Sequence, residues 1–356
     1  MANTVAWSVC PHDCPSACAL DVEIEAPNRI GRIYGSQDNP YTAGVVCAKV
    51  ARYAERVHHA KRLTRPLRRK GKKSPAATLN DFEQISWDDA LDIIVQKFNS
   101  AAAKWGPETV WLYNYGGTMG MVQRGSMRRL RNAMGYSRQL DTICALIFQV
   151  GARAGLGKMV SVNPGEFAES DLIVVWGSNP VHTQVNLMTH IQRARKRRGA
   201  RLVVVDPDKT ATAALADRHL QLRPGTDGAL AAAVMHCLFR DGNADREYMA
   251  EYTDDPAGLE AHLETRTPDW AAAVTGLATT DIEEFAREYG TTDRALIRMG
   301  LGFSRSRNGA ASLHAVSALP AVRGAWKYLG GGLYTSTTPQ FDMNESRIHG
   351  PETDTR

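Results

Sequence analysis

The chain has 356 residues, 43% of them apolar, and a formal net charge of +5. That length leaves room for two or three domains with ample core, and no run approaches the ~20 apolar residues of a membrane span. The charge is mild but unevenly spread, with eleven Lys or Arg and one acid, Glu55, from Lys49 to Lys73 and a second basic run from Arg193 to Arg201. Aromatic residues do not interleave with these runs as a single-strand stacking surface requires, so no nucleic acid partner is expected. A solvated face, a complement to a helix C-terminus, or docking of an anionic cofactor or partner accounts for them.

The first stretch, residues 1–66, is built around cysteine. Cys10, Cys14 and Cys18 follow a C-x3-C-x3-C spacing, and Cys47 closes the set after 28 intervening residues. Four soft thiolates gathered by one tight loop and one distant return suit a cubane iron–sulfur cluster, in which each iron takes one sulfur. Pro11, Pro15 and Ser16 break regular structure there, and Lys49 places a cation beside the set. A structural zinc site is the alternative, although zinc more often shows paired C-x2-C hooks. Disulfides are less expected, because no secretory segment precedes the cysteines. Leu20–Ile24 and Arg29–Tyr34 alternate apolar and polar residues around Pro27-Asn28, predicting a small β-hairpin that carries the cysteine loop. Arg65 to Pro75 is basic and poor in apolar residues, and is expected to be a connector.

The second stretch, residues 82–150, opens at Ser86, an N-cap candidate followed by Asp88 and Asp89. Ala90, Leu91, Ile94, Val95 and Phe98 recur at helical spacing. Val110 to Tyr115 is expected to be a strand, ending in the glycine loop Gly116-Gly117-Thr118-Met119-Gly120. Such a loop suits close approach of a ligand, or a plain tight turn.

The third stretch, residues 151–334, is the most regular. Leu172–Trp176 is a continuous apolar run, as in a parallel strand covered on both faces. It ends in Gly177-Ser178-Asn179-Pro180, and a helix follows with Val185, Met188, Ile191 and Ala194 on one face. Arg201–Val205 is a second buried strand ending in Asp206-Pro207, which completes a right-handed βαβ unit. His219–Leu222 predicts a further short strand, leading through Arg223-Pro224-Gly225-Thr226-Asp227 to an Ala-rich helix whose Cys237 belongs to the core. Ligands of open α/β sheets bind at such carboxyl ends of strands. Backbone N–H groups at Gly177–Asn179 suit a phosphate, Asp206 could accept from ribose hydroxyls, and Asp227 from a guanine edge. Asn179 and Asp227 could equally be helix caps. Neither G-x-G-x-x-G nor a Walker A motif occurs, so ordinary NAD or ATP binding is not supported.

Taken together, the Cys10/Cys14/Cys18/Cys47 set with Lys49, Trp176-Gly177-Ser178-Asn179-Pro180, Val205-Asp206-Pro207 and Arg223-Pro224-Gly225-Thr226-Asp227 resemble the molybdopterin oxidoreductases of the dimethyl sulfoxide reductase type. The resemblance covers nearly the whole chain, with the motifs in the family's order. It implies an α/β protein, with a small β-rich iron–sulfur domain followed by α/β domains on a largely parallel, Rossmann-like sheet. It implies a [4Fe-4S] cluster and a bis-molybdopterin guanine dinucleotide holding molybdenum (or tungsten). Cys144, in Asp141-Thr142-Ile143-Cys144-Ala145, would be the metal ligand at the start of a helix; a buried structural cysteine is the alternative. Lys49 would lie between cluster and pterin. Gly177, Ser178, Asn179, Asp206, Pro207, Gly225 and Asp227 would bind a nucleotide tail, while Gly117 and Gly300 to Phe303 would approach a pterin. The activity implied is two-electron, oxygen-atom-transfer oxidoreduction of a small-molecule substrate, with electrons passing through the cluster to a ferredoxin-like or iron–sulfur partner.

Two other readings stand beside it: a non-catalytic electron-transfer subunit with the cluster but no molybdenum, and a zinc-stabilised binding module. Members of the resembled family are usually about twice this long, so the polar tail 335–356 is expected to be irregular and the chain an N-terminal piece. No twin-arginine leader opens it, which makes a cytoplasmic location the expectation.

Overall fold

The computed structural model describes residues 4–115, 120–140, 142, 144–159, 161–337 and 343–354. The alternating segments near the N-terminus pair as β2 (Ala19–Ala26) and β3 (Arg29–Gly35), an antiparallel hairpin. An edge strand, β1 (Thr4–Val9), pairs antiparallel with β2. It lies outside the sequence expectation, because its Val5, Trp7 and Val9 all stay exposed and no burial alternation marks it. Behind the hairpin, Cys18, Leu20, Ile33 and Val50 form a small core, and Cys10, Cys47 and Tyr53 pack on it. Two short helices, α1 (Ala48–Ala51) and α2 (Tyr53–Val57), follow Cys47 directly.

The expected connector is not wholly irregular. It contains β4 (Leu67–Arg69), which pairs with β5 (Phe82–Gln84). Cross-strand contacts explain why: the Arg69 guanidinium lies 4.6 Å above the Phe82 ring and Arg68 pairs with Glu83 at 2.6 Å. Helix α3 (Trp87–Trp105) starts where the sequence places it, with Ser86 Oγ accepting from Asp89 N at 3.0 Å and Asp89 Oδ2 accepting from Ser86 N at 3.3 Å. Its Leu91, Ile94 and Val95 face outward.

Val110–Tyr115, by contrast, is not a strand. Only Val110 is buried, and the segment meets side chains and a turn instead of a neighbouring strand. Gln139 accepts from Asn114 N at 3.1 Å and donates to Asn114 O at 2.9 Å, while Ser137 N donates to Val110 O at 3.0 Å. Helices α4 (Met121–Met134) and α5 (Leu146–Leu156) follow.

The centre of the molecule is a five-stranded parallel sheet. Its strands are β6 (Leu172–Trp176), β7 (Arg201–Val205), β8 (Arg218–Leu220), β9 (Ala295–Met299) and β10 (Gly332–Tyr334), in the order β10-β9-β6-β7-β8. Strand β8 begins one residue before the expected span and ends two residues earlier. Period-two alternation explains the continuous apolar runs. In β6, Leu172, Val174 and Trp176 face a layer containing α8 (Asp227–Arg240), α12 (Thr279–Gly290) and α13 (Gly309–Arg323). Ile173 and Val175 face the other side, where α7 (Val185–Arg198) brings Leu187, Ile191 and Ala194. A short helix, α6 (Pro180–Thr183), precedes α7, and α9 (Arg246–Tyr252), α10 (Pro256–Leu263) and α11 (Pro268–Thr275) lie between α8 and α12. The tail also departs from expectation. Its described part forms α14 (Ser346–His349) and docks on α4, where Arg129 donates to Arg347 O at 2.9 Å and Asn132 to His349 O at 3.1 Å.

Candidate functional site

The order β10-β9-β6-β7-β8 reverses direction between β6 and β9, so their connections leave toward opposite sides of the sheet. A crevice opens at the carboxyl ends of strands where the order reverses in this way. Trp176 and Met299 are register partners, so Gly177 and Gly300 stand side by side at that point. Gly300 N donates to Trp176 O at 2.8 Å, and Gly302 N donates to Gly177 O at 2.9 Å. Gly177 has φ +60°, and a Cβ on Gly300 would stand 2.2 Å from Gly177 O. The two loops therefore pack backbone to backbone, which only glycine allows here. Phe303 turns its side chain into the core, tilted against Trp176 at 6.4 Å.

The next two strands add acids. Asp206 follows β7, and its Oδ1 accepts from Asp208 N at 3.0 Å. Gln221 caps the carbonyl of Pro207 at 3.1 Å. Asp227 occupies the first turn of α8, and its Oδ1 accepts from Trp176 Nε1 at 2.8 Å, an indole partner that the sequence reading missed. Burial pushes both carboxyls above the usual carboxylate range; at Asp227 the Trp176 bond opposes this and the charge of Asp206 adds to it. Asn179 does not cap α6 with its side chain; its Oδ1 accepts from Thr212 Oγ1 at 2.7 Å. Gly225 (φ +80°) is held by Asn308, whose Nδ2 donates to its carbonyl at 2.7 Å. Two half-buried acids and a glycine cradle at the sheet's switch point suit a ligand rich in hydroxyl and amide donors, as a nucleotide tail is.

The cysteine quartet is clasped against the same end of the sheet. Cys14 Sγ donates to Thr183 O at 3.1 Å, and Cys18 Sγ lies 3.5 Å from Asn186 Oδ1. Lys49, the second residue of α1, donates from Nζ to His182 O at 3.3 Å. It thus joins the cysteine loop to the helix that follows the Gly177 loop. All six cysteines are unpaired. Burial, then the charges of Cys10, Cys14 and Cys47, push the Cys18 thiol up to about 12. Cys10 is also raised, first by burial and then by Cys14 and Cys47 after a lowering backbone bond from His12. These thiols share one electrostatic locale, and bound cationic iron would reverse the repulsion among them.

Two orphaned polar atoms test which group fits. Ser16 Oγ and Asn186 Nδ2 are buried and unpartnered. A ligated thiolate can only accept hydrogen bonds, and turning the Asn186 amide over would direct Nδ2–H at Cys18. Among the described residues, no three His, Cys, Asp or Glu side chains converge to hold a single metal ion. The four thiols of the quartet match the ligand set of a cubane, one sulfur to each iron.

Cys144 lies two residues before α5, half-buried, with its N–H on Tyr115 Oη at 3.3 Å and its carbonyl 3.5 Å from Arg305 Nη2. The Arg305 contact sets it beside the loop that follows β9. Gly117, with Gly116, Thr118 and Met119, lies outside the described residues, as do Asp141 and Ile143 of the Cys144 motif. Cys237 is core, as expected, at 1% exposure. A shallow groove of about 410 Å³ runs along the outer face of α7, lined by Val185, Met188, Thr189, Gln192, Arg193 and Lys196. It offers no acid or thiol and does not carry the site.

The sequence profile described as "Molybdopterin oxidoreductase Fe4S4 domain" matches residues 3–59, and "Molybdopterin oxidoreductase" matches residues 62–337. The chain belongs to the molybdopterin oxidoreductase family. It is an enzyme family, of the dimethyl sulfoxide reductase type, with an N-terminal [4Fe-4S] domain. "Probable oxidoreductase YoaE" of Bacillus subtilis is 35% identical over 351 residues, 98% of this chain and 51% of the relative. "Dimethyl sulfoxide reductase DmsA" of Escherichia coli is 28% identical, over 90% of this chain and 43% of that one. Among solved structures, "Acetylene Hydratase from Pelobacter acetylenicus" superposes with a TM-score of 0.74 at 25% identity, over 92% of this chain and 44% of that one. The chain thus spans about half the length of the relatives it matches. No helix among the described residues of this molybdopterin oxidoreductase is long and apolar enough to cross a membrane.

Proposed function

We propose that this chain is part of a molybdenum-dependent (or tungsten-dependent) oxidoreductase catalytic subunit. Its cofactor would be a bis-molybdopterin guanine dinucleotide, and its iron–sulfur cluster would relay electrons. The observation that carries this reading is the adjacency of the cysteine quartet, through Lys49 and Thr183, to the glycine and acid loops at the sheet's switch point. When bound, the pterin-held metal supplies two-electron, oxygen-atom-transfer chemistry, which side chains alone cannot. The protein's part is to hold and orient it.

Asp206 and Asp227 would take donors from the nucleotide tail, Gly177, Ser178, Asn179, Pro207 and Gly225 would shape its bed, and the Gly300 loop would back a pterin. Cys144 would ligate the metal. Lys49 would place its cation between the two redox centres. Loss of an electron to a ferredoxin-like or iron–sulfur partner would proceed from the quartet. Retention of the half-buried Asp206 and Asp227 favours this reading over an electron-transfer subunit without molybdenum. The relatives' names range from a sulfoxide reductase to an acetylene hydratase, so the substrate is left as a small molecule.

Anaerobic purification of the protein followed by iron, sulfide, molybdenum and pterin analysis tests the reading. Iron and sulfide with molybdenum and pterin are expected; a colourless zinc protein overturns it, and a cluster with no pterin assigns the electron-transfer role instead. Cys144→Ala is expected to keep the iron and lose turnover and bound molybdenum. Wild-type molybdenum content in that variant removes Cys144 from the ligand set.

A further inference from the structure

Arg298 interrupts the apolar strand β9, and only 5% of it is exposed. Enclosing a guanidinium costs several kcal/mol unless an anion and hydrogen bonds offset the lost hydration. The hydrogen bonds are present. Nε donates to Gln184 Oε1 at 2.8 Å, Nη1 donates to Thr335 O at 2.9 Å and to the carbonyl of Met299, and the Tyr334 ring lies 5.2 Å from Cζ. Every one of these partners is neutral.

No carboxylate among the described residues supports it. Burial presses its pKa down, and the groups that oppose this are Tyr334, Tyr41 and Cys14. Burial holds both phenols in their neutral form. Cysteine ligates iron as a thiolate, so Cys14 as a cluster ligand would be the anion facing this side. A hydrogen-bonded bridge runs the same way. Gln184 Nε2 donates to Tyr41 Oη at 3.0 Å and to Tyr334 Oη at 2.9 Å, and Tyr334 Oη donates to the carbonyl of Pro15 at 3.5 Å, one residue from Cys14.

We propose that Arg298 is the buried counter-cation of the iron–sulfur cluster, set behind Cys14 to favour its reduced state. The inference rests on the cluster reading of the quartet. Each electron accepted adds one negative charge to the cluster, and a fixed cation in a low-dielectric interior stabilises that charge more than it stabilises the oxidised form. Arg298 touches neither iron nor substrate; it is a positioning residue acting through the field and through Gln184.

The test uses the whole protein, reconstituted anaerobically with iron and sulfide and titrated with dithionite in the presence of mediators. The reduced cluster is followed by electron paramagnetic resonance. Arg298→Gln keeps the shape and removes the charge. It is expected to hold its iron and to lower the equilibrium constant for reduction at least tenfold, a shift of about 59 mV to more negative potential for one electron. Arg298→Lys, measured at pH 6, is expected to stay within threefold of the wild type.

Wild-type titration of Arg298→Gln overturns the proposal, as does a lysine variant that shifts as far as the glutamine one. A purely structural role would lower the melting temperature of the iron-free protein and leave the potential in place. Should Arg298→Gln fail to fold by circular dichroism, the lysine variant decides: retention of the potential supports the proposal and loss of it defeats it. Absence of iron from the wild type is a separate outcome, seen before any variant is made, and it removes the cluster reading together with the proposal.

Discussion

Asp227 is where burial and function pull in opposite directions. Its carboxyl is desolvated, and it accepts the indole proton of Trp176. Because the folded value is raised, the folded chain binds a proton over a range where the unfolded chain has released it. The stability this group contributes is full below about pH 3.9, the ordinary aspartate value, and is lost as pH rises through the raised folded value. Asp227→Asn keeps an acceptor for Trp176 and removes the charge. It is expected to melt at or above the wild-type temperature at pH 7, with the difference vanishing near pH 4, as thermal scans followed by circular dichroism will show. The same variant should bind guanosine diphosphate, used as a probe for the tail, about thirtyfold more weakly, since a charge-assisted pair is worth about 2 kcal/mol. Equal affinity would remove Asp227 from the nucleotide bed. At this scale the sequence was informative about type and poor about partners. An Asp after a strand was legible, but Trp176 donating to it was not, because the two residues are 51 apart. The one signal for Arg298 was a charge inside Leu296–Met299, a run otherwise fit for burial.

Among the elements, the loops after β6 and β9 are coupled by contact of main chain on main chain. Gly300→Ala leaves an ordinary backbone conformation, with φ of −109°, but drives its Cβ to 2.2 Å from Gly177 O. Gly199→Ala meets nothing within 4 Å and pays only for its φ of +70°. Overpacking typically costs about 1–3 kcal/mol, and a left-handed alanine about 1 kcal/mol. Both variants should therefore melt lower, but only Gly300→Ala should also lose guanosine diphosphate binding, because it parts the two loops. Retained binding in that variant would uncouple the β9 loop from the site. Elements with a continuous apolar run, β6 and β7, were legible because both faces are covered. Val110–Tyr115 shares that composition yet forms no strand, since Gln139 and Ser137 meet its backbone where a neighbouring strand would be needed. Strand formation depends on a partner, and composition does not specify one.

The molecule as a whole joins a small β domain to an α/β sheet through contacts that include Cys14 on Thr183, Cys18 near Asn186, Lys49 on His182, Gln184 and His190 on Tyr41, and Tyr334 on Pro15. A cluster bound by the quartet stabilises whichever arrangement holds all four sulfurs, by mass action. Iron and sulfide reconstitution is expected to slow amide exchange at Cys14–Cys18 and Thr183–Asn186 and to leave Arg246–Thr275 unchanged. Uniform protection, or none at the α6–α7 junction, would show that the cluster does not fasten the domains there. The sequence by itself determined the soft ligand set, the buried strands and the glycine and acid loops that end them, since these follow from local residue type and spacing. Only the tertiary structure decided that Gly300 backs Gly177, that Asn186 meets Cys18 with its amide oxygen and leaves Nδ2 unpartnered, and that Arg298 lies enclosed with no carboxylate beside it among the described residues. Each of these depends on residues more than a hundred positions apart, and no local pattern encodes a contact whose partners meet only after the chain has packed.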